Sequence, residues 1–151
     1  MTIKTTLGPL ALAVAMVIGP VSSRASAQDT PKFLLEGDVA LWTVSIKADK
    51  TADFEQVLAR LKTALQNSDK PERQQQGKNW KVLRLKTPLP DGNVAFVHVV
   101  TAPVKDADYS VMKILYEAYP DEARAIYDMY RGAFVGNLSL ASGTLVMDAA
   151  K

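Results

Sequence analysis

The sequence predicts an α+β fold in which one antiparallel sheet is assembled from two similar strand–helix–strand halves. Three observations predict it. Two stretches rich in Val, Ile, Phe, Trp and Thr, beginning at Asp38 and Asn93, each lead into a helix-start signal. After Thr51, Phe54, Val57, Leu58, Leu61 and Leu65 recur at spacings of three and four, which is one buried helical face. Laying Asp38 on Asn93 also reveals an internal match, with identities at Val39/Val94, Ala40/Ala95, Val44/Val99, Lys50/Lys105, Ala52/Ala107 and Asp53/Asp108.

Taken in order, the chain opens with Lys4, an apolar run over residues 7–18 and a Gly19-Pro20 breaker. Small residues at Ala25 and Ala27 then set up a signal-peptidase cut after Ala27. The expected domains are a signal peptide over 1–27, an N-terminal segment over 28–37 and an α+β domain over 38–151. The first strand is followed by a helix with Thr51 as N-cap and Asp53 in its first turn, where the helix dipole favours an acid. The repeat gives Asp106 and Asp108 the same roles in the second half. Residues 67–79 are polar, contain Pro71 and Gly77, and read as a loop. A second strand is expected over 80–87, a turn over 88–92, and a third strand over 94–101. The second helical region starts near Asp106 and breaks before Pro120, since proline crowds the preceding residue out of helical geometry. It restarts at Pro120-Asp-Glu and runs to about Phe134. A last strand lies within 138–147, bulged at Gly143.

Composition narrows the function classes. Removing the signal takes Lys4 and Arg24 from 18 basic residues, set against 16 acidic ones, and leaves a chain close to neutrality. Nucleic-acid binding then lacks its electrostatic footprint. The apolar run is shorter than the ~20 residues that cross a bilayer, so no stable membrane insertion is expected after cleavage, and the destination is the periplasm or the exterior. With no cysteine, neither a lipid-attached nor a disulfide-stapled protein is possible, and stability must come from an ordinary core.

The order strand, helix, strand, strand, helix, strand resembles the ferredoxin-like βαββαβ arrangement, with both helices on one face of the sheet. Strand alternation, carried across the repeat, puts Ala40, Trp42, Val44 and Ile46 with Ala95, Val97 and Val99 under the helices. Val39, Leu41, Thr43 and Ser45 are then left with Val94, Phe96, His98 and Val100 on the open face. That second set is too apolar to stay in water, and a second copy of the chain is the economical cover. Here the sequence resembles the dimeric α/β-barrel superfamily, which joins two ferredoxin-like sheets into a barrel and includes cofactor-independent monooxygenases, isomerising enzymes and haem-degrading enzymes. The resemblance implies a homodimer. It transfers no active-site motif.

His98, the lone histidine, is the candidate for chemistry: a proton-transferring base or an axial ligand to haem. Thr43, Ser45 and Phe96 are expected beside it on the open face, with Trp80 and Arg84 bordering the same cavity, as a ligand-binding set. Tyr109, Tyr116, Tyr119, Tyr127, Tyr130 and Phe134 bring further rings to the second helical region. A histidine-rich or cysteine metal centre is excluded by counting, and no metal or cofactor is assigned. The expected function is a homodimer that binds a small apolar or aromatic ligand between its sheets. The alternatives are a monooxygenase- or isomerase-like enzyme using His98 and a haem-handling protein.

Overall fold

The computed structural model describes residues 31–149. The expected signal peptide, its cut after Ala27 and the first residues of the mature chain lie outside them. Four strands, β1 (Val39–Ile46), β2 (Trp80–Arg84), β3 (Val94–Thr101) and β4 (Phe134–Gly143), form one sheet in the order β2-β3-β1-β4. Every neighbouring pair is antiparallel. Four helices accompany it: α1 (Thr51–Gln66), α2 (Pro71–Asn79), α3 (Val111–Ala118) and α4 (Ala123–Ala133). The fold is α+β, as expected.

The core has two parts. Ala40, Trp42, Val44 and Ile46 of β1 pack with Phe96 and Val100 of β3, Phe54 of α1 and Ala133 at the end of α4. Val57, Leu61 and Leu65 of α1 meet Ile114 and Leu115 of α3 and Ile126 of α4 in a helix–helix layer. The period-three-and-four residues read from the sequence are thus buried, with Leu58 bridging both parts.

The pairing register corrects the expected faces. Trp42 lies opposite His98, Val44 opposite Phe96 and Ala40 opposite Val100, and directly paired residues share a face. His98, Phe96, Val94 and Val100 therefore lie under the helices with Trp42, while Ala95, Val97 and Val99 share the other face with Leu41, Thr43 and Ser45. An odd-numbered offset between the halves inverts the alternation, because one residue of slip turns every side chain over. The same offset misplaces the second helix. It begins at Val111, and Asp106 sits in a left-handed turn at φ 59°.

Other boundaries moved for local reasons. Thr51 is the first residue of α1, preceded by a 3₁₀ turn over Ala48–Lys50, and no side chain caps that end. Residues 71–79, expected as loop, form α2 with Pro71 in its first turn. β2 ends at Arg84, and β4 starts at Phe134 with its register shifts opposite Thr43–Ile46 rather than at Gly143. The helix expected after Pro120 is present as a 3₁₀ turn over Pro120–Glu122 leading into α4.

Candidate functional site

Between the covered face of the sheet and the start of α3 lies a cavity of about 500 Å³. Its inner wall is Trp42, Val44 and His98 on the strands, with Phe54 from α1 and Tyr130 from α4. Asn137–Leu140 of β4 form one rim, and Phe33 with Tyr109–Met112 forms the other. The volume lies within the range of small-molecule sites.

The inner wall is held by contacts between rings. The His98 imidazole stacks on Trp42 with centroids 4.5 Å apart and planes 13° from parallel. Phe33 meets Trp42 edge-on at 5.4 Å. Trp80, one strand further out, lies 5.3 Å from Trp42 and 5.5 Å from Tyr109. Its indole Nε1–H donates to His98 Nδ1 across 3.1 Å.

That bond decides the state of the histidine. An indole N–H can only donate, so Nδ1 must carry a lone pair and the proton of the neutral ring resides on Nε2. Burial pushes the imidazolium pKa down to about 4, so the ring is neutral at physiological pH. With Nδ1 turned to Trp80, the nitrogen this ring has left to offer a ligand is the Nε2–H donor.

The cavity rim is set by Asp108. Its buried carboxylate accepts the Phe33 amide at 3.0 Å and the Ser110 amide and hydroxyl at 3.0 and 2.6 Å through Oδ1, and Lys113 Nζ lies 3.1 Å from Oδ2. Burial acts against the charge, but the donors from Ser110, Lys113 and Phe33 outweigh it and hold the carboxyl well below the usual carboxylate range. The Tyr109 amide donates back to the Phe33 carbonyl at 2.8 Å, and the Tyr109 hydroxyl accepts the Val104 amide at 2.9 Å.

Behind this rim, α2 supplies buried polar support. Arg73 donates to the Asp108 carbonyl at 2.6 Å and to Gln76 Oε1 at 2.8 Å, and it reaches both Glu117 oxygens at 3.2 and 3.3 Å. The Gln76 amide donates to the same Asp108 carbonyl at 3.1 Å. Lys70 completes the cluster with Glu117 at 3.0 Å. Burial opposes ionisation of Glu117, and its bonds from Lys70 and Arg73 reverse that and lower its pKa.

Of the sequence-expected residues, His98 lines the cavity and Trp80 orients it from behind. Phe96 packs edge-on against Phe54 at 4.9 Å as core. Arg84 shares the covered face but pairs with Glu55 at 3.0 Å, both half exposed. Thr43 and Ser45 lie on the opposite face and do not approach His98; Ser45 is buried, and its hydroxyl has no hydrogen-bond partner among the described residues. The expectation missed Trp42, Phe33, Ser110 and the β4 rim. The correct parity of β3 would have brought Trp42 to His98.

No protein-family model matches the chain, and neither a curated protein nor a solved structure does. Among the described residues, no helix is long and apolar enough to cross a membrane. No group of three or more His, Cys, Asp or Glu among them could hold a metal ion.

Proposed function

We propose that this is an exported binding protein, acting in the periplasm or outside the cell, that holds a small apolar or aromatic molecule in the cavity beside His98. The observation that carries the reading is a cavity of about 500 Å³ lined by Trp42, Phe33, Tyr109 and Tyr130, with the hydrogen-bonded imidazole of His98 in its inner wall. The place differs from the expected one. The ligand sits between sheet and helices of one protomer rather than between two sheets.

The ferredoxin-like arrangement is part of the same reading, supported by the β2-β3-β1-β4 order with every pair antiparallel. So is the homodimer of the α/β-barrel type. Its support is the outer sheet face, where Leu41 and Leu83 are exposed beside Val97 and Val99. Light scattering on residues 28–151 is expected to give a dimer, and a strict monomer would remove the barrel from the proposal.

The two alternatives ask His98 for a lone pair at Nε2. A general base needs one to accept a proton, and a haem iron needs one to be ligated. The Trp80 bond puts the proton there instead, so the donor set does not fit an axial haem ligand.

Titration of residues 28–151 with the neutral fluorophore N-phenyl-1-naphthylamine tests the binding reading. Saturable binding is expected, and it should be abolished in a Met112→Trp variant that fills the cavity. Failure to bind in a folded protein, or undiminished binding by the filled variant, would sink it.

A further inference from the structure

We infer that the cavity selects uncharged aromatic molecules carrying a hydrogen-bond acceptor, such as an aryl ketone or quinone oxygen, which the Nε2–H of His98 receives. The inference rests on the cavity being a ligand site and deepens that reading.

The lining side chains are aromatic, aliphatic, hydroxyl and amide groups together with one neutral imidazole. An ionised ligand would surrender its hydration to walls that offer no opposite charge. An anion would also approach the Asp108 carboxylate, which sits directly behind Ser110 of the rim. A cation would meet the positive end of an N–H dipole at His98. An uncharged ligand avoids all three costs.

The inner wall carries the Trp42 indole N–H, the Tyr130 hydroxyl and the His98 imidazole, and the acceptor follows from the imidazole, the one of the three whose hydrogen bond sets which nitrogen can donate. Trp80 fixes Nδ1 as acceptor, and the stack on Trp42 fixes the ring plane, so the Nε2–H is oriented before any ligand arrives. A hydrocarbon would leave that donor unpaired once water is displaced, whereas a carbonyl oxygen satisfies it. Ser110 does not compete as a donor, because its hydroxyl proton is committed to Asp108 at 2.6 Å. The flat faces of Trp42 and Tyr130 suit a planar ring system, whose edge carries the acceptor toward His98.

The test compares three probes of nearly equal size on residues 28–151 by calorimetry: 2-acetonaphthone, 2-ethylnaphthalene and 2-naphthoate. The ketone is expected to bind about tenfold or more tightly than either of the others. The preference over 2-ethylnaphthalene is expected to vanish in His98→Phe, which keeps a ring stacked on Trp42 but has no donor. Equal binding of ketone and hydrocarbon by the native protein would overturn the inference while leaving the cavity a ligand site. Binding of none of the three would overturn both. Independently of any probe and any variant, the ¹⁵N shifts of this single histidine are expected to show the Nε2–H tautomer. An Nδ1–H tautomer would overturn the inference even if the ketone binds.

Discussion

Trp80 and His98 sit on adjacent strands, 18 positions apart in the chain, and the bond from indole Nε1–H to imidazole Nδ1 at 3.1 Å makes the histidine a fixed donor. Its removal has a measurable cost. In Trp80→Phe, His98 Nδ1 is left buried without its donor, so a loss of about 2–4 kcal/mol in urea unfolding is expected, from the orphaned acceptor and the smaller ring together. The ¹⁵N spectrum of His98 should then change to a mixture of tautomers. An unchanged spectrum would show that Trp80 does not set the proton.

The stability of the domain should fall on mild acidification. His98 ordinarily titrates near 6.5 and is pushed down to about 4 in the fold. A folded pKa below the unfolded one means that protonation favours unfolding. The stabilisation is therefore complete above pH 6.5 and is lost as pH falls toward 4, by about 3 kcal/mol across the window. Urea unfolding at pH 7, 5.5 and 4.5 should trace this decline, and His98→Phe should flatten it. The carboxylate of Asp108, whose pKa is lowered, makes its contribution above its ordinary 3.8 and loses it only in stronger acid, so the two effects separate.

Asp108→Ala removes the acceptor shared by Phe33 and Ser110 and leaves Lys113 unpaired. A cost of about 2–4 kcal/mol is expected, since charged hydrogen bonds in buried positions exceed the ordinary value. Amide exchange at Phe33 and Ser110 should accelerate well beyond the global change. Equal acceleration across the domain would mean that Asp108 supports the core in general rather than this rim.

Arg73→Met exchanges the guanidinium for a flexible apolar chain, takes the donor from buried Gln76 Oε1 and leaves the Asp108 carbonyl to Gln76 alone, while Glu117, which is exposed, keeps Lys70. A loss of about 2–3 kcal/mol is expected, because buried acceptors lose a charged donor. The double variant Arg73→Met, Glu117→Met should recover little of it. Substantial recovery would place the value of Arg73 in its pairing with Glu117 rather than in its bonds to Gln76 and the Asp108 carbonyl.

At Gly37, φ is +78° and a Cβ would stand 2.7 Å from the Gly143 carbonyl oxygen, where Asp38 N–H already bonds at 2.9 Å. Gly37→Ala should thus destabilise the β1–β4 pairing by about 1–3 kcal/mol, read by thermal unfolding. A neutral effect would mean that the loop before β1 can be rebuilt at no cost.

How much of this was legible beforehand depended on whether the information was local. Thr51–Gln66 declared itself by the spacing of Phe54, Val57, Leu61 and Leu65, and Val94–Thr101 by its β-branched run, because both are patterns along one segment. Pro71-Glu72 carries the same start signal as Pro120-Asp121, yet α2 was hidden. The residues it buries are Arg73 and Gln76, held by hydrogen bonds that no hydrophobic periodicity records.

From the sequence alone came the α+β class, the approximate places of the four strands along the chain and the choice of the single histidine as the residue to follow. The tertiary structure alone decided which side of the sheet His98 faces, because facing depends on pairing across strands and one residue of register inverts it. It also decided what His98 can do. A proton on Nε2 is the consequence of an indole arriving from another strand, and only the folded chain brings Trp80, His98 and Trp42 together.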